Sequence, residues 1–331
     1  MADLTIPNFP AAEATEIAGH TTESDPYIPT TYDELLYAIQ TSGVYVKIAQ
    51  DFDFSLSSGD GVPGSDSGWR DGLVKTASTT QCLTFKCQKL FADDKPNNDG
   101  KYKITGLNSG TAPYLFAYGG SNAVVDNISI VNCVTMTNVG YRTVTGNSPG
   151  YSPSGSSLTF NNCQLSLLVI CGSNSVMPSS AAFNNCSIFM KISMSRNNYP
   201  TSHFCGWSCD QCTIQVTGLQ LTFGLVQNNI INLFTNLQNS TAYLSADAHM
   251  PTSYPNARIR DSAHSCFILD ISVDTPNVGQ VDFYNMIGVS VVDKTLLDNS
   301  GITYTQYGNV EFLTTTEMKS ENSLISVGFL P

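Results

Sequence analysis

Four residues that can bind a metal ion lie close together in the segment SHFCGWSCDQC: His203, Cys205, Cys209 and Cys212. Thiolates and an imidazole at such short spacing can hold a zinc ion tetrahedrally. Cys212, however, also fits a recurring pattern whose cysteine we expect to point into a core. Assigning Cys212 to the core removes the fourth ligand, and we predict no metal site and no cofactor.

Paired carboxylates are the other groups that could do chemistry, because glycoside hydrolysis needs an acid and a base or nucleophile flanking the bond. The candidate pairs are Asp51 with Asp53, Asp270 with Asp274, and Asp282 with Asp293. Acid pairs are common on protein surfaces, and a lyase would also need acids clustered for calcium near a basic residue. The segment FADDKPNNDG, with Asp93, Asp94 and Asp99, lacks the alternation and terminal Glu of a calcium loop. We therefore predict no catalytic residue.

The recurring pattern has three positions. The first holds an amide, an acid or an apolar residue, the second an amide, and the third cysteine. It occurs as IVNCVTM, FNNCQLS, FNNCSIF and CDQCTIQ, around Cys133, Cys163, Cys186 and Cys212. The intervals of 30, 23 and 26 residues fall within the roughly 20 to 45 residues of one solenoid repeat. Short β-rich runs fill the intervals, separated by Ser, Asn, Gly and Pro clusters. The pattern predicts an all-β fold, a single-stranded right-handed parallel β-helix with one coil per interval.

Equivalent residues of successive coils would stack about 4.8 Å apart. We predict a structural ladder of buried, free and inert thiols, because buried cysteines behave as small apolar groups. Amides beside them would hydrogen-bond from coil to coil. The predicted members are Cys133, Cys163, Cys186, Cys212, Asn132, Asn162 and Asn185.

The composition excludes several partners. The 331 residues carry a net charge of −12, so the long-range field repels phosphate backbones and anionic membranes. We predict no nucleic-acid binding and no membrane insertion. Arg258 and Arg260 form the one tight arginine pair, which we interpret as solvated surface charge. The first twenty residues lack the basic start and apolar run of a secretory signal, so we expect synthesis in a cytoplasm and reduced cysteines.

The elements at the two ends differ from the repeats. Residues 1–30, with several prolines, are predicted to be an extended arm that docks on another protein, although a disordered terminus fits the composition equally well. Residues 31–40 are predicted to be a helix that caps a β-helix over residues 31–290. Residues 291–331 are predicted to be a C-terminal cap or interface segment, with Thr314 to Thr316 capping a short helix at Glu317 to Lys319. The outward loops are predicted at Gly146 to Ser157 and Asp247 to Pro255.

Three stretches together resemble the start of pectate-lyase-like β-helix proteins: TYDELLYAIQTSGVYVKIAQDFDF, NNDGKYKITGLNSG and APYLFAYGGSNAVVDNISIVNC. In that family a capping helix leads to a first strand and an Ile-x-Gly-Leu coil. Two further stretches look like bacteriophage virion proteins. LTIPNFPAAEATEI resembles the N-terminal attachment arms of phage fibre and tail proteins, and TTTEMKSENSLISVGF resembles the close of β-helix proteins from phages and gut bacteria.

The resemblance implies a non-enzymatic structural protein of a bacteriophage virion, such as a head or tail fibre, spike or decoration protein. It further implies a homotrimer that meets other virion proteins through the N-terminal arm and host cell-surface glycan through outward loops. Fold does not determine function, and two alternatives stay open. One is a phage polysaccharide depolymerase on the same β-helix, and the other is a bacterial surface adhesin.

Overall fold

The computed structural model describes residues 2–3, 6, 8–54, 81–96, 99–106, 114–119, 123–136, 158–171, 181–194, 207–222, 230–232, 236–238, 240–250, 256–261, 264–273 and 279–320. This part of the chain is mostly β-strand, and its strands pair in parallel. The chain divides into two compact units: unit 1 comprises residues 1–170 and 180–187, and unit 2 comprises residues 171–179 and 188–331. No helix within the described ranges is long and apolar enough to cross a membrane.

The N-terminal segment is not the predicted extended arm. Residues Ala11–Gly19 form helix α1, which starts directly after Pro10, where a proline before the first turn loses no helical hydrogen bond. Ile17 of α1 is completely buried, and Tyr27 forms a parallel bridge with Val46. The prolines therefore delimit a helix, and this segment packs on unit 1 itself.

The predicted helix at residues 31–40 is confirmed as α2, Tyr32–Ile39. It begins with a capping box: the Glu34 backbone N–H donates to Thr31 Oγ1 at 3.3 Å, and Glu34 Oε2 accepts from the Thr31 N–H at 3.1 Å. Such reciprocal bonds satisfy backbone donors that a helix start leaves open. Leu35, Leu36 and Ile39 are buried, so this side of α2 belongs to the core of unit 1.

The strands of unit 1 lie in two parallel sheets. The first contains β1 (Ala2–Asp3), β3 (Phe52–Asp53), β4 (Gln81–Phe85), β6 (Lys103–Thr105), β7 (Tyr114–Gly119), β9 (Ser129–Met136) and β11 (Gln164–Cys171). The second contains β2 (Tyr45–Lys47), β5 (Lys89–Phe91), β8 (Ala123–Asp126), β10 (Leu158–Asn161) and β12 (Ala181–Asn184). From β8 to β12 the chain alternates between the sheets, contributing one strand to each in turn.

Alternating burial explains the register of the second sheet. Strands β8 and β10 read buried, intermediate, buried, intermediate along their length, as expected when one face is packed on a core. A column of aligned buried side chains crosses this sheet: Val46, Leu90, Val125, Phe160 and Phe183. The rings of Phe160 and Phe183 stack with their centroids 5.1 Å apart. A slip of one residue would turn this column to solvent.

Unit 2 contains longer strands. They are β13 (Ser187–Met194), β14 (Trp207–Asp210), β15 (Thr213–Thr222), β16 (Ile230–Asn232), β17 (Asn236–Gln238), β18 (Thr241–Met250), β19 (Asn256–Asp261), β20 (His264–Val273), β21 (Gln280–Asp293) and β22 (Thr303–Leu313). Strand β18 pairs with β15 and β20, and β21 pairs with β19, β20 and β22. The predicted loop Asp247 to Pro255 is partly wrong, because Asp247 to Met250 continue β18. The loop Gly146 to Ser157 lies outside the described residues.

One short helix follows each of the last two strands, β21 and β22. Helix α3 (Lys294–Ser300) was not predicted; Asp293 caps its start, and Gly301, with a φ of 71°, ends it in the left-handed conformation. Helix α4 (Thr315–Met318) carries the predicted threonine cap, with a capping box between Thr314 and Glu317. Met318 is buried against Cys266 and Val291, so the C-terminal segment packs on unit 2 as far as residue 320.

Candidate functional site

Asn162 and Asn185 form corners at the ends of β10 and β12. Their φ angles are 52° and 51°, in the left-handed region that asparagine tolerates better than most residues with a side chain. Asn185 Nδ2 donates to Asn162 Oδ1 at 2.8 Å across a coil of 23 residues. Asn184 and Asn161, the preceding residues, are linked in the same way at 2.8 Å. The structure thus brings two of the predicted amides together.

Each corner cysteine hydrogen-bonds to the strand that precedes it. The thiols of Cys163, Cys186 and Cys212 donate to the carbonyl oxygens two residues earlier, at 3.1, 3.3 and 3.3 Å. In unit 1, Cys186 Sγ also accepts from the Cys163 backbone N–H at 3.4 Å. All three cysteines are free and buried. A small apolar side chain that still accepts and donates weak hydrogen bonds suits this position.

Asn132 and Cys133 do not belong to this ladder. They lie inside β9, where Cys133 is paired with Leu167 rather than Cys163, and Asn132 is the extra residue at a register shift. Gln164 is paired with Ser129, so the true coil spans 35 residues instead of the 30 between the cysteines. The sequence alignment on cysteine was therefore displaced by several residues at this coil.

Four further corner residues are not among the predicted members of the ladder. Asn127 and Gln211 have φ angles of 57° and 54°, and Ile128 is buried at the position equivalent to Cys163. In unit 2, Ser240 Oγ accepts from the Cys212 backbone N–H at 3.0 Å, 28 residues away. The sequence pattern that indicates them is Asp, Asn or Gln followed by Asn or Gln, directly after an apolar strand. This pattern does not require a cysteine.

Two substitutions of Asn185 separate its backbone role from its amide role. Asn185→Gly keeps the left-handed backbone and loses the bond to Asn162, so we expect the free energy of unfolding to fall by less than about 1 kcal/mol. Asn185→Ala also loses the left-handed preference and should cost about 1 to 2 kcal/mol more. Urea unfolding of both variants measures this. Equal losses would show that the backbone conformation is not what selects asparagine here.

The four candidate zinc ligands lie only partly within the described residues. His203 and Cys205 lie outside the described residues, whereas Cys209 is buried in β14. Its hydrogen bond with Cys212, together with burial, raises the pKa of the Cys209 thiol above its ordinary range. Burial, and secondly the charge of Asp293, raises the pKa of Cys266 to about 12. Where side chains are described, no three His, Cys, Asp or Glu residues are grouped to hold a metal ion.

The candidate carboxylates have structural partners. Asp51 accepts from Lys95 Nζ at 2.7 Å and from the Lys103 backbone N–H at 2.8 Å. Asp282 Oδ1 accepts from Gln280 Nε2 at 2.7 Å, and Asp293 is 2% exposed and caps α3. Asp51 and Asp53 lie on either side of Phe52, and the ring of Phe52 is buried. Asp274 lies outside the described residues.

Asp270 is exposed on β20, and its register partner on β18 is Asp247. Neighbouring strands are about 4.8 Å apart, so this pairing sets two acidic residues side by side. Spacing in the sequence suggested Asp274 as the partner of Asp270 instead, because strand register cannot be obtained from a single segment.

The outward face of β21 and β22 carries a group that we call the tyrosine face: Gln280, Asp282, Tyr284, Thr305 and Tyr307. Val281, Phe283 and Asn285 of β21 are buried, so the residues between them lie on the opposite face. Tyr284 and Tyr307 are register partners whose rings stack at 4.3 Å and 5°. Tyr307 is 40% exposed, and Gln280 Nε2 also donates to Thr305 Oγ1 at 3.3 Å.

The arginine pair borders the tyrosine face. Arg258 and Arg260 on β19 are the register partners of Asp282 and Tyr284. Asn232 on β16 is in turn the partner of Arg260. The rings, the amide of Gln280 and the carboxylate of Asp282 on the tyrosine face offer both ring surfaces and hydrogen-bonding groups to a polar ligand.

Comparison with known proteins gives no match: no protein-family model, no curated protein and no solved structure is significantly similar to this chain.

Proposed function

We propose that this chain is a non-enzymatic structural protein of a bacteriophage virion, built on a single-stranded right-handed parallel β-helix, and that it binds host-surface glycan through the tyrosine face. The observation that carries the proposal is the regular corner ladder. In unit 1 consecutive strands alternate between two parallel sheets, and left-handed amide corners recur at Asn127, Asn162 and Asn185.

The corner ladder supports a β-helix because each corner occupies the same place in its coil. Asn127 N–H donates to the carbonyl of Asn161, and Asn162 N–H donates to that of Asn184, both at 2.9 Å. Successive coils have different lengths because loops of different length are inserted between the corners, as expected for a solenoid. Helix α2, which buries one side against the first strands, would be the N-terminal cap.

The tyrosine face supports glycan binding because sugar rings combine apolar faces with hydroxyl groups. Stacked rings at Tyr284 and Tyr307 offer apolar surface and phenolic groups, and Gln280 and Asp282 offer hydrogen bonds. The net charge of −12 favours a neutral glycan over a polyanion for the protein as a whole. The face is carried on two long paired strands rather than on loops, which favours a preformed site.

Attachment to the particle through residues 1–30 would use the outer side of α1, since Ile17 is already buried in unit 1. Its exposed residues include Ala11, Ala12 and Glu16. For the proposed homotrimer, the exposed side chain of Met286, 74% accessible, is a candidate for contact between copies.

Mass spectrometry of purified virions tests the structural role. We expect this chain in the particle at a defined copy number, divisible by three. A high number would indicate capsid decoration, and a few copies would indicate a tail or vertex. Its absence from intact particles would refute the virion assignment.

Substitution of Tyr307 tests the glycan site. Tyr307→Ala removes the more exposed ring, and the loss of its contacts should weaken binding to host-surface polysaccharide about tenfold. Phe189→Ala is the matched control, because it removes a similarly exposed aromatic ring from β13. Glycan-array or calorimetric titration gives the affinities. Equal effects of both substitutions, or no binding by the unaltered protein, would exclude the tyrosine face as the site.

A polysaccharide depolymerase is a second candidate, favoured by the register of Asp247 with Asp270. Retaining glycosidases use two neighbouring carboxyl groups, and the register puts these two acidic positions on adjacent strands. Release of reducing sugar from host capsule, abolished by Asp270→Asn, would establish this activity in place of the non-enzymatic role.

A further inference from the structure

The corner at Asn127 differs from the corners at Asn162 and Asn185 in its partners. Lys101 Nζ donates a hydrogen bond to Asn127 Oδ1. Asn127 Nδ2 donates to Asp94 Oδ1 at 2.9 Å and to the carbonyl oxygen of Ala92 at 3.1 Å. At the other two corners the amide meets an amide or Asp126. The carboxamide of Asn127 is thus in direct contact with both a lysine amine and a carboxyl group in unit 1.

The carboxamide of Asn127 is held in place from several sides. Its backbone N–H donates to the Asn161 carbonyl at 2.9 Å, and its φ of 57° is the left-handed corner conformation. Both hydrogens of Nδ2 are engaged by Asp94 and Ala92. Lys101 and Asn127 are only partly exposed, and Tyr102, next to Lys101, accepts the Ser129 N–H through its carbonyl at 2.9 Å. The amine and the amide carbon therefore belong to two anchored segments, one directly before β6 and one at the corner after β8.

We propose that Lys101 and Asn127 become joined by an intramolecular isopeptide bond, with Asp94 transferring protons. The lysine ammonium first loses a proton to water, and the Nζ lone pair then attacks Cγ of Asn127. The new Nζ–Cγ bond forms as the Cγ–Nδ2 bond breaks. The carboxylate of Asp94, which accepts a hydrogen bond from Nδ2, takes one proton from Nζ of the tetrahedral adduct and passes it to the departing Nδ2. The products are a secondary amide and ammonia, and Asp94 is unchanged.

Proximity makes this reaction feasible without a cofactor. Amide aminolysis is slow in solution, but a held nucleophile can gain an effective molarity of about 10⁵ to 10⁸ M. The reaction has to occur only once in the life of each molecule. The bond would close a loop of 26 residues that joins the start of β6 to the corner after β8, and so resist separation of neighbouring coils.

Intact-mass measurement of the denatured full chain tests the proposal. We expect the aged protein to be lighter than its sequence by the mass of one ammonia molecule. Tryptic digestion should give a branched peptide that contains both Lys101 and Asn127, with no cleavage after Lys101. The variants Lys101→Arg and Asn127→Gly should lack the branched peptide, and Asp94→Asn should accumulate it at least tenfold more slowly. The glycine variant keeps the left-handed corner and guards against loss of folding.

Cyclisation of an asparagine to a succinimide also releases ammonia, and Lys101→Arg separates the two reactions. A succinimide would persist in that variant and leave Lys101 open to trypsin in the unaltered chain. A mass equal to that of the sequence after prolonged incubation, or ammonia loss without a branched peptide, would overturn the proposal and leave the contact as a hydrogen-bonded triad.

Discussion

Replacing Gly308 by alanine is expected to lower the free energy of unfolding by about 2 to 4 kcal/mol, because left-handed strain and overpacking add at this position. Gly308 has a φ of 77°, and a Cβ there would overlap the carbonyl oxygen of Asn285 and lie 2.6 Å from Met286 Sδ. The sulfur belongs to a flexible side chain and can move. The carbonyl oxygen of Asn285 cannot move, because it belongs to a fixed turn at a bulge in β21.

That turn is fixed by the side chain of Asn285, which is completely buried. Its Nδ2 donates to Ser290 Oγ at 2.8 Å, and its Oδ1 accepts from the Gly288 backbone N–H at 2.8 Å. The register between β21 and β22 shifts between Asn285 and Ser290, so the chain bulges there. Close approach of β22 to this bulge requires a residue without a side chain.

Gly100→Ala is the matched control for Gly308→Ala. Gly100 has a φ of 81°, and nothing lies within 4 Å of the position of its Cβ. This substitution should cost only the conformational part, about 1 to 2 kcal/mol. Chemical denaturation of both variants compares the losses. If Gly308→Ala were no worse than Gly100→Ala, the carbonyl of Asn285 would have to be mobile, against the hydrogen bonds that hold it.

The corner ladder shows how far sequence reasoning reached. The pairs Asn162-Cys163 and Asn185-Cys186 were visible because the same two residue types recur after an apolar strand. Asn127-Ile128 escaped because the core position accepts isoleucine as well as cysteine, and what the backbone demands is the left-handed asparagine before it. Aligning on Cys133 therefore followed a residue that lies within strand β9 and not at a corner. The conformational constraint is the better repeat marker, since it depends on backbone geometry and not on core composition.

The N-terminal helix α1 and the tyrosine face could not be predicted from the sequence, for different reasons. The prolines around residues 7–29 indicate interruptions, and a helix as short as α1 depends on tertiary contacts such as the burial of Ile17. The tyrosine face depends on the register that sets Tyr284 beside Tyr307, residues 23 positions apart with no shared motif. Register follows from which side chains are buried across several coils, so it cannot be obtained from any single strand.

Asp293→Ala is the substitution for which we expect the second large loss of stability, about 2 to 4 kcal/mol. Asp293 Oδ1 accepts from the Leu296 backbone N–H at 3.2 Å, which caps α3. The Thr315 hydroxyl, at the start of α4, lies 3.0 Å from Oδ1 and 2.7 Å from Oδ2. One buried carboxylate therefore joins the end of β21 to both C-terminal helices. Alanine would leave a partly buried hydroxyl and a helix start without their acceptor.

Asp293→Asn distinguishes the charge from the shape of this side chain. Asparagine keeps an oxygen for the Leu296 N–H and is itself a good N-cap, so most of the loss should come from the weaker bond to Thr315, about 1 to 2 kcal/mol. Thr315→Val removes the same bond from the other side. In a double-mutant cycle, Asp293→Asn and Thr315→Val should couple by roughly 1 kcal/mol. Simple additivity of the two losses would mean that the carboxylate stabilises unit 2 through α3 alone, and that α4 packs there through Met318 rather than through Thr315.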